Sequence, residues 1–484
     1  MEAAGSALNL HTSKYLMRHA YSVLFYLIRF STFLSMILME AFLFLNKWRP
    51  IYQLLPLSYF VLFLVVVQRF LSSTCSIYMV DYSCLRPPGF CRVPLSFFVE
   101  LVSNANIFNK ETVDFMAKII TSSGQGEETY FPPSLHYIPL RSHQQDSINE
   151  VHMALFPVMD DLLSKTNISP ADIDILIVNC TVFCPSPSLP SIIVNRYAMR
   201  DDIKTFHLSG MGCSASSVAL TLVSDLLKVY KNSNAVILST EILSAGWYPG
   251  NERSKLLLNC TFRMGGAAIL LTNRNKARET SKYKLFRTVR SQIASIDKAH
   301  FSVMREEDSQ GKLGVNINQN FLQFVGLTLR SHITLFGASI LPIKEKLRYT
   351  LYVLKKRLMI NQSGDIYVPN FRSVIQHFCL PVSGIPFIRR IGSGLKLTER
   401  EMEAAIMTFH RFGNQSSAAM WYELGYMEAK EMVKQGDKVW QLGLGTGWKA
   451  ASVVWECLRD LLDEKDNGPW FDCIDKYPIN SPRV

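Results

Sequence analysis

A cysteine set between glycines, and followed at once by a helical apolar pattern, is where this chain first offers chemistry. The stretch is Phe206-His207-Leu208-Ser209-Gly210-Met211-Gly212-Cys213-Ser214-Ala215-Ser216-Ser217. Its order reads as a strand end, a tight turn and the first turn of a buried helix. Ala215, Val218, Ala219, Leu222, Val223 and Leu226 recur at helical spacing and give that helix an apolar face. Gly210 and Gly212 permit a backbone path that other residues would strain, and Ser214, Ser216 and Ser217 suit a helix start. A sulfur placed there lies near unpaired backbone N–H groups and the positive end of the helix, which favour the thiolate. The pattern therefore predicts Cys213 as a nucleophile. The competing reading is a small cysteine buried in a core. The glycine bracket and the abrupt switch into helix favour the nucleophile.

The elements that must hold this cysteine alternate along the chain. A helix is expected over 148–163, interrupted or kinked at Pro157. Residues 172–179 read as a short buried strand of the parallel type. Residues 235–241 form another, and 262–271 one more, entered through Gly265 and Gly266. The second half repeats this grammar. A helix is expected over 401–409, followed by the polar turn His410-Arg411-Phe412-Gly413-Asn414-Gln415-Ser416-Ser417, a helix over 418–433 and a strand over 438–442. Gly443-Leu444-Gly445-Thr446-Gly447-Trp448 then leads into an expected helix over 449–462. The third glycine of that run comes one position early for a dinucleotide fingerprint. Close backbone packing beside an active site explains it better. Alternation of strand and helix implies a layered α/β body. Residues 79–144, broken by Pro87, Pro88, Pro94, Pro132, Pro133 and Pro139, read as a collar of short pieces leading away from the N-terminal region.

That N-terminal region is strongly apolar. Residues 21–45 and 51–67 form two apolar runs separated by Asn46-Lys47-Trp48-Arg49-Pro50, each long enough to cross or nearly cross about 30 Å of hydrocarbon. Arg29 and Glu40 in the first run lie on one helix face, each near an end from which it can snorkel. A transmembrane hairpin is expected, with a buried core hairpin as the alternative. The chain has 484 residues, of which 48% are hydrophobic, and a net charge of +11. Without a nucleic-acid signature, that charge points to a membrane surface or a phosphate-bearing substrate. The ten cysteines form no CxxC pair, so a zinc ribbon or redox dithiol is not expected and a reducing compartment is. Neither a cofactor nor a metal is implied. Five glycosylation sequons, at Asn167, Asn179, Asn259, Asn361 and Asn414, would betray a lumenal body. A working thiolate argues for the cytosolic face. Residues 341–360 stand apart as a basic amphipathic segment, read as a contact for anionic headgroups, as a solvated helix face, or as a contact for a ligand's phosphates.

The motifs together carry a resemblance. The hairpin, Gly210-Met211-Gly212-Cys213-Ser214-Ala215, Asn259-Cys260-Thr261-Phe262-Arg263-Met264-Gly265-Gly266, His377-Phe378-Cys379, His410-Arg411-Phe412-Gly413-Asn414 and Trp421-Tyr422-Glu423-Leu424 stand in the order found in the plant 3-ketoacyl-CoA synthases. The chain resembles these membrane-bound condensing enzymes of very-long-chain fatty acid elongation nearly end to end. The resemblance implies a thiolase-like duplicated fold of layered α/β/α/β/α type. The corresponding division is 1–72 for the tail and hairpin, 73–335 for the first half with the nucleophile, and 336–484 for the second half. It implies a decarboxylating condensation in which a long acyl group moves from CoA to Cys213, and malonyl-CoA supplies the attacking carbanion. Long-chain acyl-CoA and malonyl-CoA are the expected ligands, with the endoplasmic reticulum membrane, other elongase subunits or another synthase, and a second copy of the chain as expected partners. No nucleic acid is expected.

In this family a histidine and an asparagine stabilise the enolate oxygen. Asn414 matches the asparagine, and His377 and His410 match other family positions. The catalytic set read from sequence is therefore Cys213, His377, His410 and Asn414. For His377 the alternative is a hydrogen-bonded core histidine, and for His410 a structural role holding the Asn414 turn. Four residues after His377, however, the family's catalytic histidine is replaced by Pro381, and Gln292 replaces another family histidine. Proline has neither a side-chain donor nor an N–H. Loss of a positioned proton donor typically removes about 10²–10⁴ in rate. Two readings follow: a condensing enzyme in which His377 or His410 substitutes, or a catalytically impaired relative that regulates an active synthase.

Overall fold

The computed structural model describes Ser58 and residues 75–358, 367–461 and 464–479. The apolar runs at 21–45 and 51–67 lie outside the described residues. The account below concerns the compact unit Ser76–Val484.

Nine strands form one mixed sheet. In chain order they are β1 (Tyr78–Cys84), β2 (Ile175–Asn179), β3 (Lys204–Leu208), β4 (Asn234–Thr240), β5 (Gly266–Thr272) and β6 (Tyr283–Gln292), then β9 (His377–Cys379), β10 (Lys438–Gly445) and β11 (Lys449–Cys457). A separate hairpin pairs β7 (Val303–Glu307) with β8 (Leu313–Ile317). The spatial order is β3-β2-β4-β5-β1-β6-β11-β10-β9. Each end of the sheet is parallel, β3-β2-β4 at one and β10-β9 at the other, and the strands between them run antiparallel. The two halves thus mirror each other, joined through the short pairing of β1 with β6. β2, β4 and β5 are buried at every position, so apolar residues run on without alternation.

Six helices position the site: α1 (Gln144–Thr166), α2 (Ala215–Val229), α3 (Phe321–Ile340), α4 (Ile343–Leu358), α5 (Glu399–Phe412) and α6 (Ala419–Ala429). α2 packs against β2, β4, β6, β10 and β11, and α6 against β1, β9 and β10. These two helices form a middle layer, pinned by Trp421 Nε1 donating to Ser216 Oγ at 2.9 Å. α1 covers β1, β4 and β5, while α3 covers β6 and β11. One apolar core runs through both halves, from Ile177 and Leu220 to Trp421 and Trp440. The layered, duplicated α/β body expected from sequence is the body observed.

Two expectations need correction. The helix expected over 449–462 is strand β11, which pairs with β10 and β6 along its length. It is buried on both faces, so its apolar run shows no period-2 signature, and Val453, Val454 and Trp455 favour strand. The segment read as the start of the collar contains β1, a central strand of the sheet. β6 precedes residue 335 in sequence and α3 straddles it, yet both pack against β11 of the second half.

β1 also brings charge into the core. Lys282, 4% exposed, lies 2.9 Å from Asp81, 3.4 Å from Glu428 and 2.7 Å from Glu464. Glu428 further accepts hydrogen bonds from Tyr82 and Tyr283. Removing the cation strands buried carboxylate charge. Lys282→Met should therefore destabilise the body by about 3–5 kcal/mol in denaturant unfolding, and adding Glu428→Gln should recover part of the loss. An unchanged midpoint in the single variant would contradict this role.

Candidate active site

β3 ends at Leu208, and Gly210 (φ +69°) and Gly212 (φ +57°) bend the chain through a left-handed path into a short 3-10 turn, Gly212–Ser214, that feeds α2. Ser214 Oγ donates to the Met211 carbonyl at 2.8 Å, fixing the turn. The glycine run of the second half explains how closely β10 can approach this turn. A Cβ at Gly445 would overlap the Met211 carbonyl and Ser214, and one at Gly443 would overlap Ser217. Thr446 Oγ1 donates to the Gly210 carbonyl at 2.9 Å. The run therefore provides close backbone approach, as its spacing suggested.

Asn414 arrives from the second half. α5 ends at Gly413, whose φ of +72° turns the chain back so that Asn414 pairs with Phe262 in a parallel bridge. Arg263 N donates to the Asn414 carbonyl at 2.9 Å, and Asn414 N donates to the Thr261 carbonyl at 3.1 Å. Two motifs far apart in sequence are thus one structural unit. The Asn414 Oδ1 atom accepts from Ser416 N at 2.7 Å, and its buried Nδ2 has no hydrogen-bond partner among the described residues. That leaves the amide NH2 free to donate to an incoming oxygen.

Two further residues complete the site, and the sequence reading had not singled them out. Ser416 Oγ lies 3.7 Å from Cys213 Sγ and 3.1 Å from Glu241 Oε2. Glu241 is fixed by Thr181 N and Val182 N, which donate to Oε1 at 3.0 and 2.9 Å. Its carboxyl is pushed above the usual range by burial, although these donors oppose the shift. The available sequence signal was a carboxylate directly after a strand whose centre, Ala235–Leu238, is apolar. Burial also pushes the Cys213 thiol up to about 11, with Glu241 adding to the rise and the Ser416 and Asn414 side chains opposing it. The resting group is therefore a thiol. The thiolate expected at a helix start is overridden by desolvation.

Cys213 opens into a cavity of about 150 Å³ whose apolar lining includes Phe131, Trp247, Phe321, Phe387 and Trp448. Pro381 lines the same cavity. His377 does not. It starts β9, opposite Val439, with Nε2 3.0 Å from Asp437, and three residues separate it from Pro381, which lies two positions past the end of the strand. His410 is also directed elsewhere: its Nδ1 lies 2.9 Å from the Tyr477 hydroxyl and its ring packs against Gly126. Burial, with Arg411 beside it, keeps that imidazole below its ordinary value. The structure brings the Asn414 side chain to Cys213, although Asn414, like His377 and His410, does not itself line the cavity.

Comparison with known proteins agrees with this geometry. Residues 69–358 match the family model described as FAE1/Type III polyketide synthase-like protein, and residues 373–457 match the C-terminal part of 3-oxoacyl-[acyl-carrier-protein] synthase III. The chain is 43% identical over 444 residues to 3-ketoacyl-CoA synthase 6 of Arabidopsis thaliana, covering 91% of this chain and 89% of that protein. It is 38% identical to 3-ketoacyl-CoA synthase 17 of the same plant, covering 99% of each. Among solved structures, 1,3,6,8-tetrahydroxynaphthalene synthase from Streptomyces coelicolor superposes with a TM-score of 0.60 at 16% identity, over 79% of this chain and 99% of that one. A fungal type III polyketide synthase gives 0.61 at 14% identity, over 79% and 99%. These likenesses establish the thiolase-like fold.

The buried thiol has a direct consequence. Alkylation of Cys213 by iodoacetamide, followed by mass spectrometry of its peptide, should accelerate about tenfold per pH unit between about pH 7 and 9, because the thiolate fraction is still rising toward a midpoint near 11. A rate already level by neutral pH would contradict the assignment.

Proposed function

The chain belongs to the 3-ketoacyl-CoA synthase family of condensing acyltransferases, and from that premise we propose that it joins a long-chain acyl-CoA to malonyl-CoA in very-long-chain fatty acid elongation. The observation that carries the reading is Cys213 at the wall of an apolar cavity, with the unpaired amide of Asn414 beside it. In the first step Cys213 Sγ attacks the acyl thioester, and its proton passes through Ser416 Oγ to Glu241. The proton then returns to the departing CoA sulfur, so the step balances as a thioester exchange. In the second step malonyl-CoA loses CO2, and its carbanion attacks the acyl-cysteine to form a 3-ketoacyl-CoA, with the Cys213 thiolate leaving and taking a proton from solvent to restore the thiol. Asn414 Nδ2 donates to the oxygen on which enolate charge develops.

A second reading has its own observation. Pro381 lines the cavity and no imidazole does among the described residues, so the donor partnering Asn414 in the family is missing. An enzyme of this kind is acylated readily but condenses slowly, and a slow relative that binds acyl-CoA or an active synthase regulates elongation. The apolar runs at 21–45 and 51–67 support a membrane hairpin in the endoplasmic reticulum with the body in the cytosol. The same family reading supports association with elongase subunits, another synthase, or a second copy of this chain.

Microsomes containing the chain, supplied with labelled malonyl-CoA and long acyl-CoA, should yield labelled 3-ketoacyl-CoA that Cys213→Ala abolishes. Pro381→His should raise that yield by about 10²-fold. Absence of product at every chain length, with Cys213 still acylated, would leave the regulatory reading standing and overturn the enzymatic one. Orientation has a separate test. Asn179, Asn259 and Asn414 are buried, whereas Asn167 is exposed. Glycosidase treatment should leave the mass unchanged, and a shift would place the body in the lumen.

A further inference from the structure

A surface helix ordinarily turns its apolar stripe inward, and α4 does the reverse. Ile343, Leu347 and Leu351, spaced four residues apart on one face, are 75%, 58% and 64% exposed. The face toward the body is polar and aromatic: Glu345 is buried, accepts a hydrogen bond from Tyr367 at 2.8 Å and pairs with Arg348, while Tyr349 and Tyr352 lie against Tyr367. This face holds the helix in place and leaves the leucine row outside. In sequence, Leu354 and Leu358 follow at steps of three and four residues, which also keep helical spacing. Residues 341–358 carry six cations against the single carboxylate of Glu345, which is turned inward. Lys344 and Arg348 are exposed and sit beside the row, with half-buried Lys346 on its other flank.

An apolar row bordered by cations matches the boundary between anionic headgroups and acyl chains. A second copy of the helix would bring two cationic faces together, which disfavours self-association. A phosphate ligand alone would leave the row of apolar side chains in water. We propose that α4 lies flat on an anionic membrane surface, with Ile343, Leu347 and Leu351 at the acyl boundary and Lys344, Lys346 and Arg348 among the lipid phosphates. This goes beyond the condensing reaction and does not depend on it. It would hold the rim of the body near the bilayer whether or not Cys213 turns over.

Hydrogen exchange of the 343–358 peptide tests the proposal on the full chain in nanodiscs of phosphatidylcholine with or without phosphatidylserine. The anionic discs should slow exchange, and Lys344→Gln and Lys346→Gln should each weaken the protection by about fivefold. Leu347→Asp, at an exposed position where folding is not at stake, should abolish it. Equal exchange in both discs would overturn the proposal. So would protection that follows protein density rather than lipid charge, since that would assign the face to a second copy.

Discussion

Everything at the candidate site depends on how closely one backbone turn approaches another. β10 carries glycine at 443 and 445 because a side chain at either would collide with the turn that bears Cys213. Without that approach the halves of the body could not share a middle layer, and the cysteine would sit at an open sheet end. The same contact explains a sequence pattern that superficially suggests nucleotide binding. Its glycines are there to be approached by protein rather than by phosphate. Asn414 is brought up to Cys213 by an equally tight route, bridged to Phe262 after the positive-φ turn at Gly413. The candidate site is therefore a seam: Cys213 comes from one half, Asn414 and Ser416 from the other, and Glu241 from the first again.

Burial at this seam has electrostatic consequences. A cysteine at a helix start is usually expected to be acidic, but here desolvation wins and the thiol holds its proton. Reactivity must then come from moving that proton during attack, and the Ser416 hydroxyl between sulfur and carboxyl offers a route. The proline in the cavity wall bears on the proposed second half-reaction, because it offers neither a side-chain donor nor an N–H there.

Much of this was legible in the sequence because it follows from local rules. The glycine-bracketed cysteine, the buried strands of the first half and the switch into α2 fell where composition and spacing placed them. β11 did not, because a strand buried on both faces carries no alternation and is indistinguishable by period from a buried helix. β1 was missed for a different reason: prolines following it drew attention to the loop and away from a seven-residue strand. The remote positions of His377 and His410 could not be read from spacing at all. That of His377 depends on β9 running parallel to β10, with His377 at the strand's start and Pro381 two residues past its end, and that of His410 on the last turn of α5 packing against Tyr477. Glu241 and Ser416 belong to the site only through the fold, since 175 residues separate them.

The central claim is that Cys213 accepts an acyl chain inside this seam. It is tested most directly by incubating the full chain with a long-chain acyl-CoA and locating the added mass by peptide mass spectrometry. The account predicts an acyl group on Cys213 of the native chain and its loss in Gly445→Ala, where the seam cannot close. An unmodified Cys213, or acylation confined to the exposed Cys184, would contradict it.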